Sequence, residues 1–410
     1  MATKHYNVLI VGGGAAGFFT AINTKEKNQD LSVCILEKGK DVLQKVKISG
    51  GGRCNVTHAC FDPKELTEFY PRGKRELLGP FHQFMTGDTM EWFEQKGVPL
   101  KIEADNRIFP ESNSSQSIID CFLNLTNTLG IEIRTSEGVK EIIKLEDEKL
   151  WKISTNTAEY TCDHLVITAG SSKPVWKLLT DLGHSVIAPV PSLFTFNIKD
   201  PLLTDLPGVA VQNVEVSIKD TKLISNGPLL ITHWGTSGPA VLKLSAFGAI
   251  LLAEKDYQYQ VKVNWLSVSK QQALDVLFKA KKTDVKSILE KRSPFETISK
   301  RLWSRFLEIC TIDGQTKWAD VSNKSLELLA DKLTSTMFHA QGKSTFKDEF
   351  VTAGGIKLKE INFKKFESKI HPNLFFAGEI LNIDAVTGGF NFQNAWTGGW
   401  VVSEAIAYNS

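Results

Sequence analysis

The spacing of apolar positions changes period several times along the chain. Tyr6–Val11 (YNVLIV) is a short, β-branched apolar run, which predicts a buried strand. A glycine-rich turn follows at residues 12–17. Phe18–Lys25 then reads as the start of a helix, and Leu31–Leu36 (LSVCIL) as a second buried strand ending at Glu37. Phe69–Gly97 keeps helical spacing, with Phe81, Phe84, Met85, Met90, Trp92 and Phe93 as core positions, and Ser117–Leu129 predicts another helix. The period then shortens. Ile131–Arg134, Gly138–Ile143, Leu150–Ser154 and Glu159–Thr161 read as strands of a small meander, and Asp163–Thr168 as a further buried strand closed by Ala169-Gly170.

Pro189, Pro191, Pro201 and Pro207 mark a boundary near residue 190. Beyond it the pattern is strand-like at Thr195–Ile198, Val209–Ile218, Gly227–Ile231 and Tyr257–Val263, which predicts a small β-domain. Within it, Gly238-Pro239 announces the apolar helix Ala240–Leu252. Ser269 to about Ala340 reads as strongly helical. Asn373–Ala377 (NLFFA) returns to a short apolar strand, and a last helix is expected from about Asn394 to Tyr408.

Composition narrows the class without deciding it. A chain of 410 residues predicts two or three domains. Forty-eight basic against 46 acidic residues give no global attraction for nucleic acid or anionic lipid. A local excess lies between Lys270 and Arg305, which fits a solvated helical face, against the alternative of contact with RNA or an acidic partner. No apolar run approaches the ~20 residues of a membrane span, and the N-terminal residues lack the pattern of a secretory signal, so a cytoplasmic location is expected. The six cysteines form no CxxC, which signals neither a dithiol redox pair nor a zinc site. Free, mostly buried thiols are expected, and no metal site.

The chemistry sits in the glycine clusters. Gly12-Gly13-Gly14-Ala15-Ala16-Gly17 satisfies G-x-G-x-x-G between a strand and a helix. Gly12 permits the tight turn, Gly14 lets a pyrophosphate reach the backbone, and Gly17 allows close helix–strand packing. Glu37, twenty residues after Gly17, stands where a carboxylate accepts hydrogen bonds from ribose hydroxyls. This pattern predicts a dinucleotide site without deciding between NAD and FAD.

The second cluster, Ile48-Ser49-Gly50-Gly51-Gly52-Arg53-Cys54-Asn55, suits close backbone approach to a flat or anionic ligand, with Arg53 able to pair with phosphate or carboxylate. Cys54 reads as a small buried neighbour of a cofactor. Val351–Ile356 holds a third cluster. The fourth, Gly378-Glu379 followed by Asp384 to Asn391, repeats the strand, acid and helix-start logic: Glu379 or Asp384 suits polyol hydroxyls, and the amides of Gly388–Asn391 suit a flavin edge and a pyrophosphate. His233, beside Trp234 and Gly235, is the candidate general acid or base, against the alternative of a structural histidine.

Taken together, GGGAAG (12–17), ISGGGRCNVT (48–57), THWGTSGPAV (232–241), GGIKLKEI (354–361) and LFFAGEILNIDAVTGGFNFQNAWTGG (374–399) resemble the bacterial aminoacetone oxidase-like, or BaiN-like, family of FAD-dependent oxidoreductases, over essentially the whole chain. The resemblance implies an α/β architecture: a discontinuous, glutathione-reductase-like FAD-binding Rossmann domain (1–190 and 342–410) carrying a β-barrel-like domain (191–266 and 330–341) and a helical insert (267–329). It implies noncovalent FAD. Gly12, Gly14, Ala15, Ala16, Glu37 and Lys38 would hold the ADP half, and the Val139 backbone would meet adenine. Gly52, Arg53, Cys54, Asn55, Ala169, Gly170, Gly378, Glu379, Asp384, Gly389, Phe390 and Asn391 would line the flavin side. The chain departs from many relatives at Ser171–Pro174, and at Ala385 where many carry Gly.

The expected activity is hydride transfer between a small organic substrate and FAD, with oxygen or a transient NAD(P)H as the electron partner. No second G-x-G-x-x-G follows a strand, so a dedicated NAD(P)H domain is not expected. Two alternatives remain: a flavoprotein acting on RNA, suggested by the basic helices, and a non-catalytic, FAD-binding redox sensor.

Overall fold

The computed structural model describes residues 3–146, 149–344 and 351–408. The chain divides into two compact units, Met1–Val190 with Val351–Ser410, and Pro191–Phe350.

The first unit is built on a sheet whose central strands are parallel. β1 (Lys4–Val11) runs into α1 (Ala15–Lys27) and then β2 (Val33–Leu36). β3 (Glu159–Ile167) lies on the other side of β1, and β4 (Leu374–Phe376) lies beside β3. The strand Glu132–Arg134 extends the sheet beyond β2. Both faces of these strands are covered, so each reads as an apolar run rather than an alternation. The chain leaves β1 for β2 on one side, while β3 joins from the other. That reversal at β1 makes the topological switch point, where a crevice opens at the carboxyl ends of the strands.

Two elements differ from the periodicity. The segments 159–161 and 163–168 are not separate strands: β3 is continuous and pairs with β1 from Tyr160 to Ile167. Its first half also pairs antiparallel with Leu150–Thr155. One strand thus serves the meander and the parallel sheet, so its pattern changes midway. The helical stretch 69–97 is two helices, Lys74–Phe81 and Thr86–Gln95. Pro80 lies near the end of the first, where a proline stops the ladder.

The last helix, α2 (Phe390–Ala407), packs on α1. Gly399 makes the approach close, because a Cβ there would lie 3.0 Å from Thr20 Oγ1 and 3.2 Å from Ala16 O. Trp92, Phe93, Phe122 and Trp396 pack with Phe18 and Phe19 around this pair.

In the second unit, six strands close a barrel in the order Thr195–Ile198, Gly235–Ser237, Ile224–Thr232, Ala210–Ile218, Gln258–Asn264 and Thr336–Ser344. The helices Lys270–Thr283, Lys300–Ile309 and Asn323–Ser335 share one continuous hydrophobic core with the barrel, including Trp265, Trp303 and Phe306. The expected helical run stops short of Ala340. From Thr336 the burial alternates, with Thr336, Phe338 and Ala340 inside, and the segment becomes the strand that closes the barrel. Helical and strand periods overlap for too few residues there to be separated by spacing.

Among the described residues, no helix is long and apolar enough to cross a membrane. All six cysteines are free and buried.

Candidate functional site

The G-x-G-x-x-G turn lies at the crevice mouth. Its glycines have different reasons to be glycine. A Cβ on Gly12, whose φ is +118°, would fall 2.5 Å from Thr168 O, and one on Gly17 would fall 2.1 Å from Gly12 O. Both are demanded by the protein's own packing. Gly14 is not: its φ is −95°, and a Cβ there would meet nothing within 4 Å. Gly14 is also the N-cap of α1, with no side-chain cap and no acidic residue in the first turn. Helix-end amides and open space therefore face the same side, the arrangement that takes a phosphate. The residues present fit a dinucleotide.

Glu37 closes β2. Its carboxylate accepts from Gly13 N and Gly39 N, both at 2.8 Å. That fixes the side chain against the turn while leaving lone pairs for hydroxyl donors. Gly138 lies beside Lys38, and Glu137 N donates to Glu37 O at 2.8 Å, so Val139 and Lys38 belong to the same rim. Ala169 and Gly170 follow β3 and flank the Gly12 turn. Gly378 follows β4 with φ +75°, and a Cβ there would lie 3.3 Å from Ala16. Glu379 pairs with Lys45 and accepts from Thr352 N at 3.1 Å. Gly12, Gly14, Ala15, Ala16, Glu37, Lys38, Val139, Ala169, Gly170, Gly378 and Glu379 thus gather at one end of one sheet.

Asn55, Asp384, Gly389, Phe390 and Asn391 form a second group around the start of α2, while Gly52, Arg53 and Cys54 lie in the loop that leads to Asn55. Asn55 carries its side chain to this turn, accepting from Gly389 N at 3.0 Å while its amide donates to Thr57 O at 3.0 Å. Asn391 accepts from Ala385 N at 3.0 Å and donates to Ala385 O at 3.2 Å, tying the turn to the helix. Gly389 has φ +95°, and a Cβ would lie 2.6 Å from the Thr57 carbonyl. Tyr70 OH donates to Phe390 O at 2.5 Å. Gly52, with φ +83°, has open space on its Cβ side.

Three charged or reactive residues are committed within the protein. Asp384 is fully buried in a double contact with the Arg72 guanidinium, so its carboxylate holds the turn through Arg72. Arg53 donates to Glu103 Oε1 at 2.7 Å and stacks on Phe109 at 3.9 Å. Burial pushes the Cys54 thiol up to about 12, so it is protonated and inert at neutral pH. The third glycine cluster is explained by packing: Cβ atoms on Gly354 and Gly355 would strike the backbones of Pro189 and Ile380 at 2.7 and 2.6 Å.

Thr57, His58, Tyr70 and Arg72 escaped the reading of the sequence. His58 Nδ1 lies 3.1 Å from Gly388 O. Only Thr57 carried any signal, as the last residue of the ISGGGRCNVT block. Arg72 lies 312 positions before its partner, and no local spacing joins them. In the second unit, His233 and Trp234 form the connection between the strands ending at Thr232 and beginning at Gly235. Trp234 is 60% exposed. Among the described residues, no hydrogen bond reaches the His233 ring.

The model of the HI0933-like protein Rossmann domain matches residues 6–405. The chain belongs to this family. Its HI0933-like relatives include the ribosomal RNA dihydrouridine synthase of Escherichia coli (strain K12), 27% identical over 98% of this chain and 98% of that protein. They include also the 3-dehydro-bile acid delta(4,6)-reductase of Clostridium scindens, 26% identical over 97% of this chain and 98% of that protein. Among solved structures, the 3-ketosteroid-delta4-(5alpha)-dehydrogenase of Rhodococcus jostii RHA1 shares the fold, with a TM-score of 0.51 at 12% identity over 98% of this chain and 97% of that one. This HI0933-like chain carries the Rossmann domain that names its family, and it shares its fold with that dehydrogenase.

Proposed function

We propose that the chain is an FAD-dependent reductase of carbon–carbon double bonds conjugated to a carbonyl group, close to the BaiN-like branch of its family. Two relatives matched over nearly their whole lengths support this chemistry. Making dihydrouridine saturates the ring double bond next to a uridine carbonyl. A delta(4,6)-reductase of a 3-dehydro steroid acts on double bonds conjugated with the 3-ketone. The observation that carries the cofactor is Gly14: open space and uncapped helix amides where no protein contact calls for glycine.

The first-turn amides of α1 hold the diphosphate, and Glu37 takes the ribose hydroxyls. Lys38 and the Val139 backbone border the adenine. The amides of Gly388, Phe390 and Asn391 stabilise negative charge at the flavin edge, because Asn55, bound to Gly389 N, together with Arg72 and Tyr70 keeps the turn rigid. FAD, when bound, accepts and delivers hydride at its isoalloxazine ring. His233 is the acid–base group, and NAD(P)H is the transient donor.

The deciding experiment is anaerobic. NADH or NADPH is expected to bleach the flavin bands of the FAD-loaded protein, and a cyclic enone is expected to restore them. Restoration by oxygen alone, with no turnover of any enone or uridine compound, sinks the reductase reading. His233→Asn is expected to lower turnover by about 10²–10⁴-fold with unchanged flavin content. The second reading is an RNA-borne uridine as substrate. It is favoured by the name of the Escherichia coli relative and by ten Lys and Arg against four Asp and Glu between Lys270 and Arg305. Salt-dependent retention of ribosomal RNA separates the two readings.

A further inference from the structure

We propose that His58 is a positioning residue that takes up a proton when the flavin is reduced, offsetting the negative charge that arises beside the Gly388–Asn391 turn. This rests on the FAD reading above and concerns a residue outside the cofactor-binding set.

The geometry fixes the imidazole's state. Nδ1 stands 3.1 Å from the Gly388 carbonyl oxygen. A carbonyl has no proton to give, so Nδ1 carries the hydrogen and donates it. The lone pair of the neutral ring is therefore on Nε2. Among the described residues, Nε2 has no protein partner. The ring lines an open surface groove of about 700 Å³ shared with Cys60, Phe61, Asp62, Glu65, Glu68 and Phe69. Water from this groove has access to the ring. On its inner side the imidazole packs 4.5 Å from the Phe390 ring, and Phe69 stacks on Phe390 in turn at 4.2 Å. A Cβ on Gly388 would be only 3.2 Å from Nδ1, so the ring abuts the main chain of the turn.

Partial burial lowers the His58 pKa, the Gly388 carbonyl and Asp105 act to raise it, and Arg107 acts to lower it. Arg107 itself is paired with Asp105 at 2.7 Å. The groove presents Cys60, Asp62, Glu65 and Glu68. The first turn of α2, residues 390–393, contributes no titratable side chain, and the buried Tyr70 hydroxyl is bound to Phe390 O. At neutral pH the imidazole is therefore uncharged but surrounded mainly by acids, a setting in which added negative charge nearby raises its proton affinity.

The balance is simple. Two electrons and one proton convert the oxidised flavin to its anionic reduced form. His58 Nε2 gains one further proton from water. The Nδ1–H bond to Gly388 persists, and no covalent bond in the chain breaks. Reduction therefore takes up more than one proton per two electrons, the excess rising towards one as the shift in His58 proton affinity grows.

The test is a titration of the His58 ring by NMR in FAD-loaded protein, oxidised and dithionite-reduced, over roughly pH 5 to 8. The proton affinity of His58 is expected to rise at least tenfold on reduction. His58→Gln offers an amide N–H to Gly388 O but cannot take the proton. It is expected to retain FAD and to lose the extra proton uptake per two electrons in a pH-stat reduction. An unchanged His58 titration on reduction, or undiminished uptake in His58→Gln, overturns the proposal alone. A parent chain that retains no FAD overturns it together with the reading beneath it.

Discussion

The two helix starts at the crevice answer the same chemical demand in opposite ways. At α1, Gly14 is the N-cap and touches nothing: its Cβ direction is open and its backbone is one any residue can adopt. At α2, Gly389 is the N-cap and is hemmed in by Thr57 on a left-handed backbone. Glycine at the first leaves room for something outside the polypeptide. Glycine at the second lets the polypeptide close on itself, with Asn55, Tyr70 and Arg72 fastened around it. A helix N-terminus that binds a ligand is thus not marked by glycine alone. The comparison separates why each position is glycine: free space at Gly14, contact with the Thr57 main chain at Gly389.

The sharpest way to break this comparison is at the crowded end. Arg72→Ala leaves Asp384 buried without its guanidinium, and the cost is expected at about 3–5 kcal/mol in chemical denaturation. A loss under about 1 kcal/mol would mean that the turn is not held through this pair. Gly389→Ala follows, with an expected cost of about 2–3 kcal/mol from backbone strain and overlap with Thr57. The open end should behave differently. Gly14→Val is expected to change the stability of the FAD-free chain by less than about 1 kcal/mol, yet to weaken FAD binding by more than tenfold, or about 1.4 kcal/mol. Equal effects of Gly14→Val and Gly389→Ala on the FAD-free chain would erase the contrast.

The smallest effect concerns Cys54, fully buried in the loop that leads to Asn55. Burial raises its thiol from 9.0 to about 12, so the folded chain keeps a proton that the unfolded chain gives up. Its contribution to stability is complete below pH 9 and drains away as pH climbs from 9 towards 12. Cys54→Ala should flatten the fall in denaturation midpoint between neutral and alkaline pH. An identical fall in parent and variant would assign the alkaline loss to other groups.

Much of the open end was legible. Strand, glycines, helix, strand and acid occur within 37 residues, and local spacing carries that information. The crowded end was only half legible. Gly388 to Asn391 read as a helix start, but the groups that hold it come from residues 55–72, more than 300 positions away. Gly354 and Gly355 resembled a ligand-facing cluster in the sequence, and only the close backbones of Pro189 and Ile380 show why they are glycines. Thr336–Ala340 was read as the tail of a helix because the partners of that strand, Thr195–Ile198 and Gln258–Asn264, lie far upstream. In each case the missing term was a long-range contact, which periodicity cannot register.

The discontinuity of the first unit also has a bearing on synthesis. β1 and α1 leave the ribosome before the second unit, whereas β4 and α2, which complete the crevice, follow it. Between them the contiguous barrel-and-helix unit has all of its own strands available once residue 344 has emerged. The nascent chain must therefore leave β3 without β4 while some two hundred further residues are translated, and α1 without α2 for more than three hundred, at about 5–20 residues per second. The dinucleotide has a finished cradle only after that interval, which makes cofactor loading a late event in the life of each molecule.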